Sequence, residues 1–386
     1  MASPLARNAL LLGNFVTGIA VLAPAGMLPE LSAGLGVSIQ AAGWLVTFGA
    51  IVMCFGSPLM AWITTHIDRR TLLTATLAII ALGHVASAIA PNYVVLLAAR
   101  LALLVVAALY TPQAASAVAL IVTEKERPGA IAYVFLGWSL AVAIGLPLVT
   151  FLAAQFGWRA AYAGIAALAV VATFLNAVGL PKGLRGIPLS VASWIEVVRN
   201  RQVVLLLLIT ILVLSGTFQL FVYIGPLFSI LTGAGPQTIG ITIAVMGVIG
   251  LLGNVVTTRI VGKLGAFRMS VLLIATMVAG TAIWTIGAGF LAAMLVGSAI
   301  SSVGFAASNS IQQARLSAAA PALSSATIAL NTSAIYVGQA IGSAVGGALI
   351  ARDLLPAVGY AATALTAAAL LMVFLTRDEN AKISSP

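Results

Sequence analysis

The chain has 386 residues, 62% of them hydrophobic and 7% charged, with a formal net charge of +10 and a mean hydropathy of +1.16. Soluble domains carry about a quarter of their residues as charges, so this chain lacks the polar surface to face water and is expected to be an all-α integral membrane protein. The excess of positive charge does not point to nucleic acid, because the basic residues sit in short gaps between apolar runs, and the lone Cys54 excludes a disulfide framework or a cysteine metal cluster within one chain.

A helix that crosses the ~30 Å hydrocarbon core needs about 20 apolar residues. Twelve such runs are predicted, and none alternates polar and apolar residues as the strands of a membrane barrel do. The first, 9–29, carries Asn14, Thr17, Pro24 and Pro29 and exits at Glu30. Its length and the spans that follow argue against a cleaved signal peptide. The second, 42–64, contains Gly56 and leads into a loop with Asp68, Arg69 and Arg70. The third, 71–90, holds His84, whose imidazole is either a proton-switching group or a packed neutral side chain.

The fourth span, 93–116, contains Arg100 inside "LLAARLALLVV". A charge at such a depth costs roughly 2.5–3.5 kcal/mol on insertion scales. Either the side chain snorkels to the nearer interface or it faces a water-filled cavity, where it binds an anionic group or polarises a proton site. An arginine does not itself carry the proton.

The fifth and sixth spans, 128–154 and 160–180, complete a first half. The longest polar gap, 181–202, separates residues 1–180 from 203–386. It is read as a cytoplasmic linker, in which "SWIEVVRNR" forms either plain connection or a short amphipathic surface helix. In the seventh span, 203–229, Gln219 and Tyr223 are four apart and are expected on one helical face. Spans eight and nine are 237–260 and 269–288. The tenth, 291–314, carries Ser301, Ser302, Ser308, Asn309, Gln312 and Gln313. The eleventh, 322–350, carries Asn331, Tyr336 and Gln339, and the twelfth is 356–376.

With the N-terminus in the cytoplasm, fifteen Lys and Arg fall in inside loops and two, Arg159 and Arg352, fall outside. That asymmetry supports both twelve spans and cytoplasmic termini. An internal repeat is also legible. "GWSLAVAIGLPLV" from Gly137 matches "GQAIGSAVGGALI" from Gly338, pairing Gly137, Ala141 and Gly145 with Gly338, Gly342 and Gly346 at an offset of 201. Small residues at every fourth position let helices approach closely, and two six-helix halves are the mark of a parallel-repeat transporter.

These residues resemble the major facilitator superfamily, in its drug/proton antiporter branch with the sugar-efflux and arabinose-efflux-like proteins. "GWSLAVAIGLPLVTFLAAQFGWRAAYA" is similar to the antiporter motif of the fifth helix, with Gly137, Gly145 and Pro147 in its glycine face. "GMLPELSAGLGVS" resembles the first-helix exit and "ERPGAIA" the loop between helices four and five. Arg100 falls on the fourth-helix arginine motif. The chain departs from the family in "TTHIDRR": Thr65 replaces an acidic residue and Asp68 stands where glycine is expected, so that Asp68 is expected to take over the charge interaction. Leu104 replaces a glycine, and the acidic first-helix residue of many drug exporters is absent near Val21.

The resemblance implies a twelve-helix major facilitator fold in a bacterial inner membrane, acting as a monomer without cofactor or metal on a small-molecule substrate. It implies a central cavity lined by helices 1, 4, 7 and 10, with Arg100, Asn14, Thr17, Gln219, Tyr223, Asn331 and Tyr336 as substrate-binding candidates. Glu30, His84 and Arg100 are the proton-coupling candidates. Gly56, Asp68, Arg69, Arg70, Gly137, Gly145 and Pro147 carry the conformational motifs. Export by proton antiport is the first expectation, and an uncoupled facilitator or exchanger the second. No metalloprotease, nucleotide-binding or cysteine-cluster motif points to an enzyme.

Overall fold

The computed structural model describes residues 4–64, 66–123, 126–184, 199–320 and 323–376. Thr65, Lys125, Arg185, the expected amphipathic segment up to residue 198, Arg377 and Lys382 lie outside them. Among the described residues, twelve helices are long and apolar enough to cross a membrane.

In the first half these are α1 Pro4–Gly26, α2 Ile39–Ile63, α3 Arg69–Ala88, α4 Tyr93–Ile121, α5 and α6 Trp158–Gly179. Helix α5 runs as Arg127–Leu140, a π-helical turn Ala141–Gly145, and Leu146–Phe156. In the second half they are α7 Arg201–Phe221, α8 Pro236–Leu264, α9 Ala266–Ile286, α10 Leu291–Ala319, α11 Ser324–Ile350 and α12 Leu355–Phe374. The face that carries Arg7, Asp68–Arg70 and Lys182 is called the basic face below.

The first and seventh runs each fold as two helices. After α1, Met27 leaves helical geometry (φ −143°, ψ 30°) and a short helix, Leu28–Leu35, continues outward. After α7, Tyr223 does the same (φ −102°, ψ 18°) before Ile224–Thr232. Pro29 and Pro226 explain both breaks. A proline lacks the N–H and clashes with the carbonyl four residues back, but is accepted in the first turn of a new helix. Gly36 (φ 65°) and Gly233 (φ 71°) end the two extensions in left-handed geometry that glycine adopts without strain. Gln219 and Tyr223 therefore do not share one continuous helical face.

The repeat is present but one turn out of the register read from the glycines. Ile39 and Pro236, Arg69 and Ala266, Arg127 and Ser324, and Trp158 and Leu355 open equivalent helices, each pair 197 positions apart. A face with a small residue at every fourth position looks the same after a four-residue shift, so the sequence match at 201 slipped by one turn.

Both glycine faces do the same work. A Cβ on Gly137 would collide with the α1 backbone at Leu11 and Phe15, and one on Gly342 with the α7 backbone at Ser215 and Gln219. Helix α5 thus lies on α1 as α11 lies on α7. Helix α5 alone carries a proline at this level: the N–H of Leu146 reaches the Ala141 carbonyl, a π-type bond beside Pro147.

Gly137→Leu forces a side chain into the α1 backbone and is expected to cost about 1–3 kcal/mol or more. Gly262→Leu, where nothing lies within 4 Å of an added Cβ, should leave thermal stability in detergent unchanged. A melting comparison of the two variants checks this.

Candidate functional site

Two polar layers sit at matching depths. Asn14 and Thr210 are ten and nine residues into α1 and α7, about 15 Å and 14 Å from the basic-face ends at 1.5 Å per residue. In the first half, Thr111 donates to Asn14 Oδ1 (2.7 Å), Trp138 Nε1 donates to Thr111 (2.9 Å), and Asn14 Nδ2 donates to the Val134 carbonyl (2.9 Å). This ties α1, α4 and α5. In the second half, Thr210 donates to Asn331 Oδ1 (2.8 Å) and Asn331 Nδ2 donates to Asn309 (3.2 Å), tying α7, α10 and α11. Asn14, Thr210 and Asn331 are buried, whereas Thr111, Trp138 and Asn309 are partly exposed. A buried amide must find partners in the protein, and these networks supply them while leaving polar edges open.

The other binding candidates are placed differently. Thr17 spends its hydroxyl on the Gly13 carbonyl (2.8 Å) of its own helix. Gln219 turns to α12, donating to the Val358 carbonyl (3.2 Å), and its Oε1 is buried without a partner. Tyr336, on α11, is buried to 6% exposure, and its hydroxyl makes no hydrogen bond among the described residues.

Tyr223 belongs to a junction between the halves on the face opposite the basic one. Its hydroxyl donates to the Ser343 carbonyl (2.9 Å), and Thr47 donates to Ser343 Oγ (2.8 Å). Ser343 Oγ in turn donates to the Gly43 carbonyl (3.3 Å), and further along, Ser333 donates to the Cys54 carbonyl (3.2 Å). All side-chain hydrogen bonds between the halves, among the described residues, run between α2 and α11. On the other side Gly247 of α8 meets the backbone of Ala143 in the π-helical turn, and Gly225 lies against Pro29. At the basic face the polar side-chain contacts among the described residues stay within each half: Arg7 pairs with Glu126 (3.3 Å), and Arg315 bonds to Ser270 (3.1 Å), Gln312 (3.4 Å) and Thr376. The molecule is held shut at the face opposite the basic loops.

Arg100 neither snorkels nor faces an open cavity in this conformation. It is 0% exposed. Its guanidinium reaches the Val21 carbonyl of α1 (3.4 Å) and His84 Nε2 of α3 (3.4 Å), and lies 5.7 Å from the centroid of the Tyr162 ring on α6. Arg100 Nε and the Tyr162 hydroxyl are buried without partners. His84 Nδ1 lies 2.8 Å from the Ile80 carbonyl. A carbonyl accepts only, so Nδ1 holds the proton and Nε2 presents its lone pair to Arg100. A second proton on His84 would set two cations face to face.

Glu30, on the extension of α1, is half-buried, and its Oε2 has no partner. Loss of solvation raises its carboxyl above the ordinary carboxylate value, against a smaller opposing effect of its own backbone amide. Among the described residues Asp68 pairs with no cation. It caps α3, accepting from the Thr71 amide (3.2 Å), and the one ion pair among the described residues is Arg7–Glu126. Arg69 is buried, with its backbone amide bonded to the Leu184 carbonyl (2.9 Å) at the start of the linker, while Arg70 is partly exposed. Gly56 packs α2 on the α4 backbone at Val105.

Sequence reading did not single out Thr210, Thr47 or Ser343. Thr210 lies one residue from Ile211, the partner of Asn14 in the 197-residue register that the packed helices set.

The family model described as Major Facilitator Superfamily matches residues 10–321. The chain is 32% identical over 379 residues to "Inner membrane transport protein YdhP" of Escherichia coli (strain K12), covering 95% of each chain. It is 24% identical over 365 residues to "Probable sugar efflux transporter" of Mannheimia succiniciproducens, covering 94% of this chain and 91% of the other. A crystal structure of a D-xylose-proton symporter superposes with a TM-score of 0.77 over 97% of each chain, at 15% identity, which speaks to the fold alone.

Proposed function

Since the chain belongs to the major facilitator superfamily and is a multi-pass inner-membrane transporter, we propose that it exports small, mainly uncharged organic molecules by proton antiport. The observation that carries this reading is the pair of matched polar layers beneath a closed junction. The excess of Lys and Arg on the basic face supports placing that face in the cytoplasm. Substrate then enters from the cytoplasm and meets Thr111 and Trp138 from one half and Asn309 from the other. Residues 1–180 and 203–386 rock about this level, with 181–202 as the tether. The name of the sugar-efflux relative supports export of neutral, hydroxyl-rich compounds.

Glu30 is the proton-binding group in this reading. It sits where the extension of α1 packs beside the extension of α7, and closure strips water from its carboxyl. A carboxyl whose proton affinity rises on closure binds its proton as the gate shuts. Falling external pH therefore favours the closed gate, and rising pH opens it. Arg100 and His84 set the packing of α1, α3, α4 and α6 beneath it. The second reading, uncoupled exchange, is favoured by one observation: the four described acidic residues, Glu30, Asp68, Glu126 and Asp353, all lie at helix ends or in loops.

Proteoliposomes with a trapped pH dye separate the two. Neutral glycosides and apolar drugs are expected to drive proton movement in wild type, and Glu30→Gln to abolish it while labelled substrate still exchanges. Substrate flux with a silent dye in wild type sinks antiport and leaves exchange.

Spin labels at the exposed positions Ala33 and Gln237 read the gate. Their separation should shorten as pH falls in wild type and stay short at every pH in Glu30→Gln. An unchanged pH response in the variant removes Glu30 from the coupling.

A further inference from the structure

The 197-residue repeat also shows where the halves differ in charge. In the interior the first half holds the cation: Arg100 corresponds to Ser298, since α4 and α10 begin 198 apart, at Tyr93 and Leu291, and Ser298 lines a small uncharged cavity. At the basic face the difference runs the other way. The α2–α3 hairpin carries Asp68 beside its arginines, and Asp68 corresponds to Gly265 at the turn between α8 and α9. Arg259, Lys263 and Arg268 flank that turn, and their counterparts are Trp62, His66 and Thr71. All three cations are exposed, and among the described residues none makes a hydrogen bond or ion pair. Asp353, the one described acidic residue of the second half, lies between α11 and α12 at the opposite end of the molecule. A single lysine in a last turn is what a helix C-terminus favours. Three cations around one turn without an acid repel one another and attract an anion from outside the protein.

The position of the cluster says which anion. Ile241, Val245, Val248, Leu252 and Val256 recur at helical spacing on one face of α8, each at least 43% exposed. The opposite face packs on protein, with Gly250 and Gly253 against the α10 backbone at Ser302 and Val303, and Gly247 against α5. An exposed apolar stripe on a membrane span is its lipid face. Arg259 and Lys263 continue the same stripe at the same spacing. Helix α8 has 29 residues, about 43 Å at 1.5 Å per residue, against a hydrocarbon core of ~30 Å. Its last turns therefore stand at the level of the lipid headgroups, with the acyl chains beside the apolar part of the stripe.

We propose that the α8–α9 hairpin is a binding site for an anionic phospholipid whose headgroup carries two phosphates. Arg259 and Lys263, one turn apart on α8, and Arg268 from α9 present their charges to the headgroup from two helices. Guanidinium groups suit phosphate oxygens because they donate paired hydrogen bonds in one plane. The acyl chains lie along Leu252 and Val256. Three cations exceed what one phosphate neutralises, which favours a headgroup with two. The α2–α3 hairpin does not repeat the site, because it supplies its own carboxylate in Asp68 and has Trp62 and His66 where α8 has its cations. The proposal needs the membrane topology alone and holds whatever the substrate or the coupling ion.

The test uses the full-length protein in a mild detergent. Native mass spectrometry measures binding of cardiolipin, phosphatidylglycerol and phosphatidylcholine, and melting curves are recorded with and without each lipid. Wild type is expected to hold one cardiolipin tightly and to melt higher with it, to hold phosphatidylglycerol more weakly, and to show no such preference for phosphatidylcholine. The combined variant Arg259→Gln, Lys263→Gln, Arg268→Gln should lower cardiolipin affinity about tenfold or more, with its lipid-free melting unchanged because all three side chains are exposed. Arg259→Lys with Arg268→Lys, which keeps the charge, should keep cardiolipin bound. The control Lys182→Gln, Arg199→Gln, Arg201→Gln removes three other exposed cations and should retain the lipid. Inorganic pyrophosphate in excess should leave it in place. Undiminished cardiolipin binding in the hairpin variant, an equal loss in the control, equal retention of phosphatidylcholine by wild type, or release of the lipid by pyrophosphate overturns the site.

Discussion

Direct contact between helix backbones organises this molecule. Lipid chains are as apolar as leucine, so burial of apolar surface gives helices little reason to associate, and close packing must supply it. Glycine permits that packing by removing the side chain between two backbones. The α5 face built on Gly137 and Gly145 lies on α1, and the α11 face built on Gly338, Gly342 and Gly346 lies on α7. These contacts bring α1, α4 and α5 near enough for Asn14, Thr111 and Trp138 to bond, and α7, α10 and α11 near enough for Thr210, Asn331 and Asn309. The same device joins the halves, where Gly43 and Gly347 leave room for the Tyr223 ring and Gly247 meets Ala143.

The two halves keep the frame and differ in what they bury. One encloses a guanidinium against a carbonyl, an imidazole lone pair and a tyrosine face, each a modest contribution. The equivalent space in the other is an uncharged cavity. A repeat that diverges in this way leaves two halves of one frame with chemically distinct interiors.

The breaks in the helices lie where the halves meet. Met27 and Tyr223 interrupt α1 and α7 just before Pro29 and Pro226, and the π-helical turn of α5 precedes Pro147. Each interruption frees a backbone group from the regular ladder and lets the outer segment take a direction of its own. The extensions carrying Glu30 and Phe228 are therefore separate pieces of the closed junction, each set apart from the long helix before it.

The sequence by itself determined the number of spans, the basic face and the existence of the repeat, because all three are one-dimensional patterns of apolar length, charge and small residues. It singled out Asn14, Asn331 and Arg100 as binding candidates, and an apolar run makes any such polar group conspicuous. What they bond to was decided by the tertiary structure. Arg100 meets Val21, His84 and Tyr162 from three other helices, Asp68 caps a helix in place of an ion pair, and Tyr223 locks a junction with Ser343 beyond a break that a single helical period does not reveal. The register of the repeat belonged to the structure too. A glycine face repeats every turn and so carries no information about which turn is which, and only the packed helices, whose ends must meet the same two membrane faces, remove that ambiguity.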